Sequence, residues 1–316
     1  MLSRLLVFAT LLAAAVGSPT LFDRLPSSLR NLVSAAGLED ALKSDVSWTV
    51  LAPTNGAVND LTNALGNEVS NTLTHPFNND LLSYILLQHV LPKEYTSANI
   101  DGQKKTLLRG NKVRVYVDGE SEPFVRSSRK EGEAFSSATL DLGNLNIEAS
   151  NGIVHYINAV LLPKKLSPMP ATVYDMLSEK GEFTILLSLI DSYNDVKSDL
   201  QSTTQESGIT LFAPNDKAFN KLLGKLTDEE LADINLKKVL EYHYTDQALS
   251  RENIKRDFNN KELITMANGE TVKTIGCIKF KTATNQYTKT TAHQRRAWNG
   301  YVHVLKDVMI PADTSK

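Results

Sequence analysis

Hydrophobic and polar positions follow two periods along this chain, and the same succession of periods is met twice. Leu21, Leu25, Leu29, Leu32 and Val33 recur at helical spacing, Gly37 ends that helix, and Leu38–Lys43 predicts a second short one. Ser47–Pro53, SWTVLAP, is a β-branched run and predicts a strand. Pro53-Thr54-Asn55 then turns the chain, with Thr54 or Asn55 placed to cap the next helix. Leu81, Leu82, Ile85, Leu86 and His89 share one face of a stronger helix, introduced by Pro76 and Asn78 and stopped by Pro92. Lys105–Leu108 and Lys112–Asp118 predict a hairpin turning at Gly110-Asn111. Gly119–Ser137 is polar and charged and predicts a mobile loop, and Asn146–Pro163 supplies the last strands of this unit.

The strongest pattern is Asn151–Pro163, NGIVHYINAVLLP, because it returns as Asn299–Pro311, NGYVHVLKDVMIP. Asn, Gly, Val, His and the final Pro recur in register, so the architecture is a repeat. In each copy an Asn-Gly pair makes a tight turn into a strand that is apolar on both faces, which predicts a central, covered position. The second pass starts after Lys164–Ala171, KKLSPMPA, a stretch stiffened by Pro168 and Pro170 and read as a linker. Thr172-Val173-Tyr174-Asp175 echoes Thr20-Leu21-Phe22-Asp23, and Gly208–Phe219 echoes Ser47–Val58. Leu236–Tyr244 echoes the Leu81–Val90 helix with His243 aligned to His89, and Thr265–Lys281 again predicts paired strands.

Composition adds bounds. The chain has 316 residues, 41% hydrophobic and 22% charged, with a formal net charge of -2, which suits two ordinary domains and gives no overall preference for polyanions or membranes. Arg4, the apolar Leu5–Val16 and the small-residue site Ala15-Val16-Gly17 predict a signal peptide over 1–17, with a membrane anchor as the other reading. No later stretch is apolar enough to span a bilayer, and no Asn-x-Ser/Thr sequon occurs. Cys277 is the single cysteine, so no intrachain disulfide forms. In its strand-like setting it reads as a buried thiol, with an intermolecular link or a nucleophile as alternatives.

These residues carry a resemblance. Each half resembles a fasciclin-like (FAS1) domain, over essentially the whole chain after the leader. The family's first motif reads Thr49–Val58 and Thr210–Phe219, with Pro53, Thr54 and Asn55 matched by Pro214, Asn215 and Asp216. Its second motif reads Asn151–Pro163 and Asn299–Pro311, containing Asn151, Gly152 and His155, then Asn299, Gly300 and His303. The Tyr-His motif is Tyr242-His243; the first half has Gln88-His89 instead, and Val58 where phenylalanine is usual. Arg295-Arg296-Ala297-Trp298 also departs from the family pattern.

The resemblance implies an α+β fold of two tandem fasciclin-like domains, each a β-wedge of two small sheets packed with several helices. The domains expected are 20–163 and 170–311, with 164–169 as linker and 312–316 as tail. It also implies a non-catalytic, secreted or cell-surface binding module acting in adhesion. Partners would be cell-surface or matrix protein or polysaccharide, with anionic lipid headgroups as a further class and no nucleic acid. A vacuolar-lumen or membrane-associated factor binding lipid or protein is the alternative, and a hydrolase or thiol enzyme using His and Cys277 the rival class. No cofactor or metal is expected.

His89 and His243 stand near helix C-termini, where the macrodipole favours a cationic imidazole; His155 and His303 stand in the terminal strands. A repeated paired-His site is one reading and a buried network satisfying backbone groups the other. No second ligand lies at metal-binding spacing, which favours the network. No nucleophile-and-base motif or phosphate-cradling loop is present. Asp228-Glu229-Glu230 after Thr227 reads as a capped helix start.

Thr271–Lys306 contains no Asp or Glu but holds Lys273, Lys279, Lys281, Lys289, Arg295, Arg296 and Lys306, with Phe280, Tyr287 and Trp298 among them. Strand alternation could gather these charges on one face, as an anion-binding surface or as ordinary solvated strand faces. Tyr242, His243, Arg295, Arg296 and Trp298 are the expected partner-binding residues, with the arginines leading an exposed positive surface beside the Asn299-Gly300 turn.

Overall fold

A computed structural model of the chain describes residues 18–65, 72–117, 122–128, 134–163, 170–258, 263–276 and 279–315. The expected leader 1–17, the linker 164–169 and Cys277 lie outside the described residues. The chain divides into two compact units, one within Met1–Ala64 and Asn79–Ser167, the other within Leu65–Asn78 and Pro168–Lys316. Both are α+β, with two four-stranded sheets in the first, one continuous seven-stranded sheet in the second and helices in each.

The first unit opens with helices α1 (Ser27–Ala35) and α2 (Glu39–Lys43). The helix start falls later than the Leu21–Val33 spacing predicts. Leu21 and Leu25 are buried in a turn held by Thr20, whose backbone N–H and hydroxyl both donate to Asp23 at 2.8 Å, and α1 begins only after Pro26. Strand β1 (Trp48–Pro53) leads into α3 (Asn55–Leu65), and α4 (Asn79–Gln88) into β2 (Val90–Leu91). Strands β3 (Gly102–Lys105), β4 (Lys112–Tyr116), β5 (Phe124–Ser128) and β6 (Ala134–Thr139) form one antiparallel sheet in that order. Strands β7 (Ile147–Ala149) and β8 (Gly152–Ile157) complete the other, ordered β2-β1-β8-β7.

Two readings are corrected here. The hairpin's first strand lies at Gly102–Lys105 rather than Lys105–Leu108, because Leu107 and Leu108 donate their backbone N–H groups to Val90 and Leu87 and Leu108 is buried. Within Gly119–Ser137, read as a loop, the chain forms β5 and starts β6. Val125, Ser127 and Ala138 are buried on one face of these strands while Arg126 and Ser137 are exposed on the other, so the segment looks loop-like when its polarity is counted without its period.

The second unit repeats the plan with α5 (Val173–Ser178), α6 (Thr184–Asp191), α7 (Asn194–Gln201), β9 (Ile209–Pro214), α8 (Asp216–Leu223), α9 (Asp228–Asp233), α10 (Leu236–Glu241) and β10 (Tyr244–Thr245). Thr227 and Glu230 form the expected capping box of α9, with bonds of 3.2 and 2.8 Å. Strands β11 (Leu263–Thr265), β12 (Thr271–Ile275), β13 (Lys279–Lys281), β14 (Tyr287–Ala297) and β15 (Gly300–Leu305) follow, in the order β10-β9-β15-β14-β13-β12-β11. The long β14 runs through both sheet portions and shifts register between Thr290 and Gln294.

In each unit the two sequence motifs meet as the central parallel pair. Trp48 lies opposite Gly152 and Pro53 opposite Ile157; Ile209 lies opposite Gly300 and Pro214 opposite Leu305. Alternation then sorts two cores. Leu211, Ala213, Val302 and Val304 pack with α5–α8, while Phe212 and Leu305 pack with Tyr242, Val272 and Phe280 from the other side. In the first unit Leu51 and Ile157 likewise join Val113, Val115 and Val125. The glycines at the pair's start are sterically required. A Cβ on Gly152 would stand 2.1 Å from the Trp48 carbonyl oxygen, and one on Gly300 1.9 Å from that of Ile209.

The Asn before each glycine closes a hairpin and is itself buried. Asn151 accepts from the Leu21 N–H (2.7 Å) and donates to the carbonyls of Leu42 (2.9 Å) and Ser44 (2.7 Å). Asn299 accepts from the Val173 N–H (2.8 Å) and donates to Leu200 (3.1 Å) and Ser202 (2.9 Å). One carboxamide thus satisfies three backbone groups at the entry of each unit, groups that would otherwise be desolvated without partners. Asn299→Ala is expected to lower unfolding stability by about 3 kcal/mol, since each orphaned buried group costs about 1–3 kcal/mol. Urea denaturation checks it, and a loss below about 0.5 kcal/mol, the ordinary surface range, would contradict it.

Candidate functional site

The residues singled out by the repeat occupy matching internal positions. On β1, the Thr49 hydroxyl donates to the Lys93 carbonyl (2.8 Å) and accepts from the Tyr95 N–H (2.7 Å); on β9, Thr210 does the same with Gln247 (2.5 Å) and Leu249 (2.7 Å). Thr54 accepts from the Ala57 N–H as cap of α3, and Asn215 from the Ala218 N–H as cap of α8. The next residue reaches back to an earlier helix: Asn55 accepts from the Ser28 N–H at the start of α1, and Asp216 from the Ile185 N–H at the start of α6. Two consecutive side chains therefore cap two helices, each taking an N–H left over by helix geometry.

The histidines complete this skeleton. His89 bonds the Ile85 carbonyl through Nδ1 (2.9 Å), and its Nε2 accepts from the Leu161 N–H (2.9 Å). His243 bonds the Val239 carbonyl (2.6 Å) and accepts from the Met309 N–H (3.0 Å). Since a backbone N–H must donate to Nε2, both rings are neutral and carry the proton on Nδ1. The helix C-terminus would favour a cation, but burial outweighs it and lowers both pKa values to about 4. His303 bonds the Leu249 carbonyl through Nε2 (2.7 Å) and stacks on Phe212, and burial takes it to about 4 as well. His155 bonds the Tyr95 carbonyl (2.7 Å), accepts from the Asn146 N–H (3.2 Å) and is lowered by burial.

The expected partner-binding residues are drawn inward too. Tyr242 is fully buried; its hydroxyl donates to Thr271 (3.1 Å) and accepts from Ala283 (3.3 Å), and burial raises its pKa. Gln88, at the same place in the first unit, is equally buried. Trp298 is 4% exposed, so it offers no flat surface contact. Arg295 is ion-paired with Glu182 and lies over Phe183; Arg296 donates to Asn78 Oδ1 (2.8 Å) and lies over Tyr301. The exposed arginine-tryptophan surface expected from the sequence is therefore corrected. The Asn299 anchor pulls this hairpin into the unit, and its cations find partners there.

The lysines of the same stretch behave differently. Lys273, Lys279 and Lys289 are exposed and Lys281 partly so, while Val272, Thr274, Phe280 and Thr288 between them are buried. The signal in the sequence was the parity of the lysine positions, which becomes informative once the strand register is known.

Two cavities are apolar. One of about 60 Å³ in the first unit is lined by Leu29, Leu42, Val50 and Leu86 among others. One of about 220 Å³ in the second is lined by Leu189, Phe219, Ile234, Val239, Leu240 and Ile310 among others. His89 and His243 border them, but the ring nitrogens are already bonded. Neither cavity gathers the convergent polar groups that bind and orient a substrate. Among the described residues no group of three or more His, Cys, Asp or Glu is placed to hold a metal ion, and no helix is long and apolar enough to cross a membrane.

Known proteins share this sequence pattern. The Fasciclin domain family model matches residues 26–163 and 181–311. Periostin from Homo sapiens is 24% identical over 290 residues, which is 91% of this chain and 30% of periostin, so the chain spans under a third of that relative. Protein sll1483 from Synechocystis sp. is 32% identical over 155 residues, 49% of this chain and 73% of that protein. A solved FAS1 domain pair from the insect cell adhesion molecule Fasciclin I aligns over 91% of this chain and 98% of its own, at 17% identity and a TM-score of 0.40.

The buried imidazoles set a pH dependence. Unfolded histidine titrates near 6.5, so between about pH 6.5 and the folded value of about 4 the unfolded chain binds protons that the native chain does not. Stability is whole above that window and falls as pH drops through it, by roughly 3 kcal/mol per imidazole over its full width. The C2–H resonances of His89, His243 and His303 are expected to hold their neutral positions down to about pH 5. Midpoints near 6.5 in the folded protein would overturn the assignment.

Proposed function

The chain belongs to the Fasciclin domain family, and on that footing we propose that it is an extracellular or cell-surface adhesion protein with no catalytic role. In this reading residues 1–17 are removed on secretory entry, and 20–163 and 170–311 act as two domains of one matrix- or surface-binding chain. One observation carries it: the motif threonines, asparagines and histidines are taken up by backbone groups of their own unit. What such a unit offers a partner is its exterior.

The test is adhesion by the full mature chain coupled to beads. Coated beads are expected to adhere to cell surface or matrix, and heat-unfolded coating to abolish it. Each half expressed alone is expected to give a cooperative unfolding transition. Cys277 should label stoichiometrically only after unfolding. Absent adhesion by the folded chain, together with fast native labelling of Cys277, would instead favour the thiol-enzyme class.

A further inference from the structure

Resting on the binding reading above, we propose that the outer face of β11–β14 in the second unit binds a linear polyanion, a sulfated polysaccharide. Antiparallel register places Lys273 directly opposite Lys281, and Lys279 directly opposite Lys289. Residues between them point the other way into the core, so all four ammonium groups leave the same side of the sheet. With strands about 4.8 Å apart and a two-residue step of about 6.7 Å, the four lysines form a diagonal band about 12 Å long. Among the described residues none of the four forms an ion pair.

Like charges directly opposite across strands destabilise a sheet. Two such pairs on one face, in a stretch from Thr271 to Lys306 without a single Asp or Glu, are a cost that no ion pair among the described residues offsets. An external chain of anions supplies that compensation. The face also carries a flat ring. Tyr287 is 58% exposed, stands opposite Lys281 and has that ammonium 5.6 Å from its centroid. A ring beside a cation suits a sugar, with the apolar face of the pyranose on the aromatic and the sulfate on the ammonium.

Leu263, 51% exposed on β11, lies at the opposite margin of the row from Tyr287. The apolar groups thus flank the lysines instead of forming one protruding wedge, which favours a chain laid on a flat sheet over insertion into a bilayer. The first unit also sets cations opposite one another beside aromatic rings. Lys105 lies opposite Lys112 and Arg114 opposite Arg126, and Tyr116 stacks on Phe124 at 4.4 Å with the Arg126 guanidinium 4.7 Å from the Phe124 ring.

The experiment compares the full mature chain with a variant carrying Lys273→Thr, Lys279→Thr, Lys281→Thr and Lys289→Thr on a heparin column and by calorimetry with heparin. A charge-matched control carries Lys180→Gln, Lys217→Gln, Lys225→Gln and Lys255→Gln, all exposed positions elsewhere in the same unit. Wild type and control are expected to be retained. The face variant should elute at clearly lower salt, bind about tenfold or more weakly, show a shallower salt dependence, and melt at the same or a higher temperature in the absence of heparin. Flow-through of wild type at low salt would overturn the proposal, as would equal weakening of both variants. Binding of wild type to phosphatidylserine vesicles but not to heparin would overturn it in favour of a membrane. Bead adhesion that survives in the face variant while heparin binding is lost leaves the adhesive reading standing and assigns that adhesion to another surface.

Discussion

The structure of each unit depends on bringing two distant strands together in parallel: β1 with β8, and β9 with β15. Parallel neighbours need a long crossover, and closing that loop costs entropy before any contact rewards it. Apolar burial supplies the drive, but it is non-directional and does not fix register. Register is fixed by contacts that fail on a one-residue slip. Gly152 and Gly300 admit the opposing carbonyl only at one position, and Asn151 and Asn299 meet three backbone groups only when the hairpin is seated.

The imidazoles extend the same logic to the edge of the pair. His89 and His243 each link a helix end to the segment after the last strand, joining Ile85 to Leu161 and Val239 to Met309. A neutral imidazole suits this task because it presents a donor and an acceptor on opposite sides of one rigid ring. The recurrence that makes these residues conspicuous in the sequence is thus explained by backbone satisfaction. The proposed binding role then falls to surfaces that the repeat does not dictate.

Much of the fold was legible because its constraints are local or repeated. The β-branched run at Ser47–Pro53, the Thr227 cap and the twice-met Asn-Gly-x-Val-His pattern each encode a geometry directly. Strands β5 and β6 were missed because a sheet covered on one side hides half its residues' purpose: Val125 and Ser127 are buried, whereas Arg126 faces water. The proposed partner surface falls within the carboxylate-free stretch visible in the sequence, but not at the residues favoured there. Arg295, Arg296 and Trp298 were favoured for their chemistry, and only three-dimensional placement reveals Glu182, Asn78 and the buried hairpin that occupy them. The lysines were visible as residues, but their gathering required knowing which strands pair and in what register.

Buried imidazoles and carboxamides should hold otherwise irregular backbone as firmly as a sheet ladder would. Native-state amide hydrogen exchange tests it residue by residue. Leu161 and Met309 lie outside regular strands and helices, yet donate to His89 and His243. These two amides are expected to be protected nearly as well as the central strand amides of Val154 and Val302, exchanging only with global opening. Exchange at the rate of ordinary loop amides would contradict it.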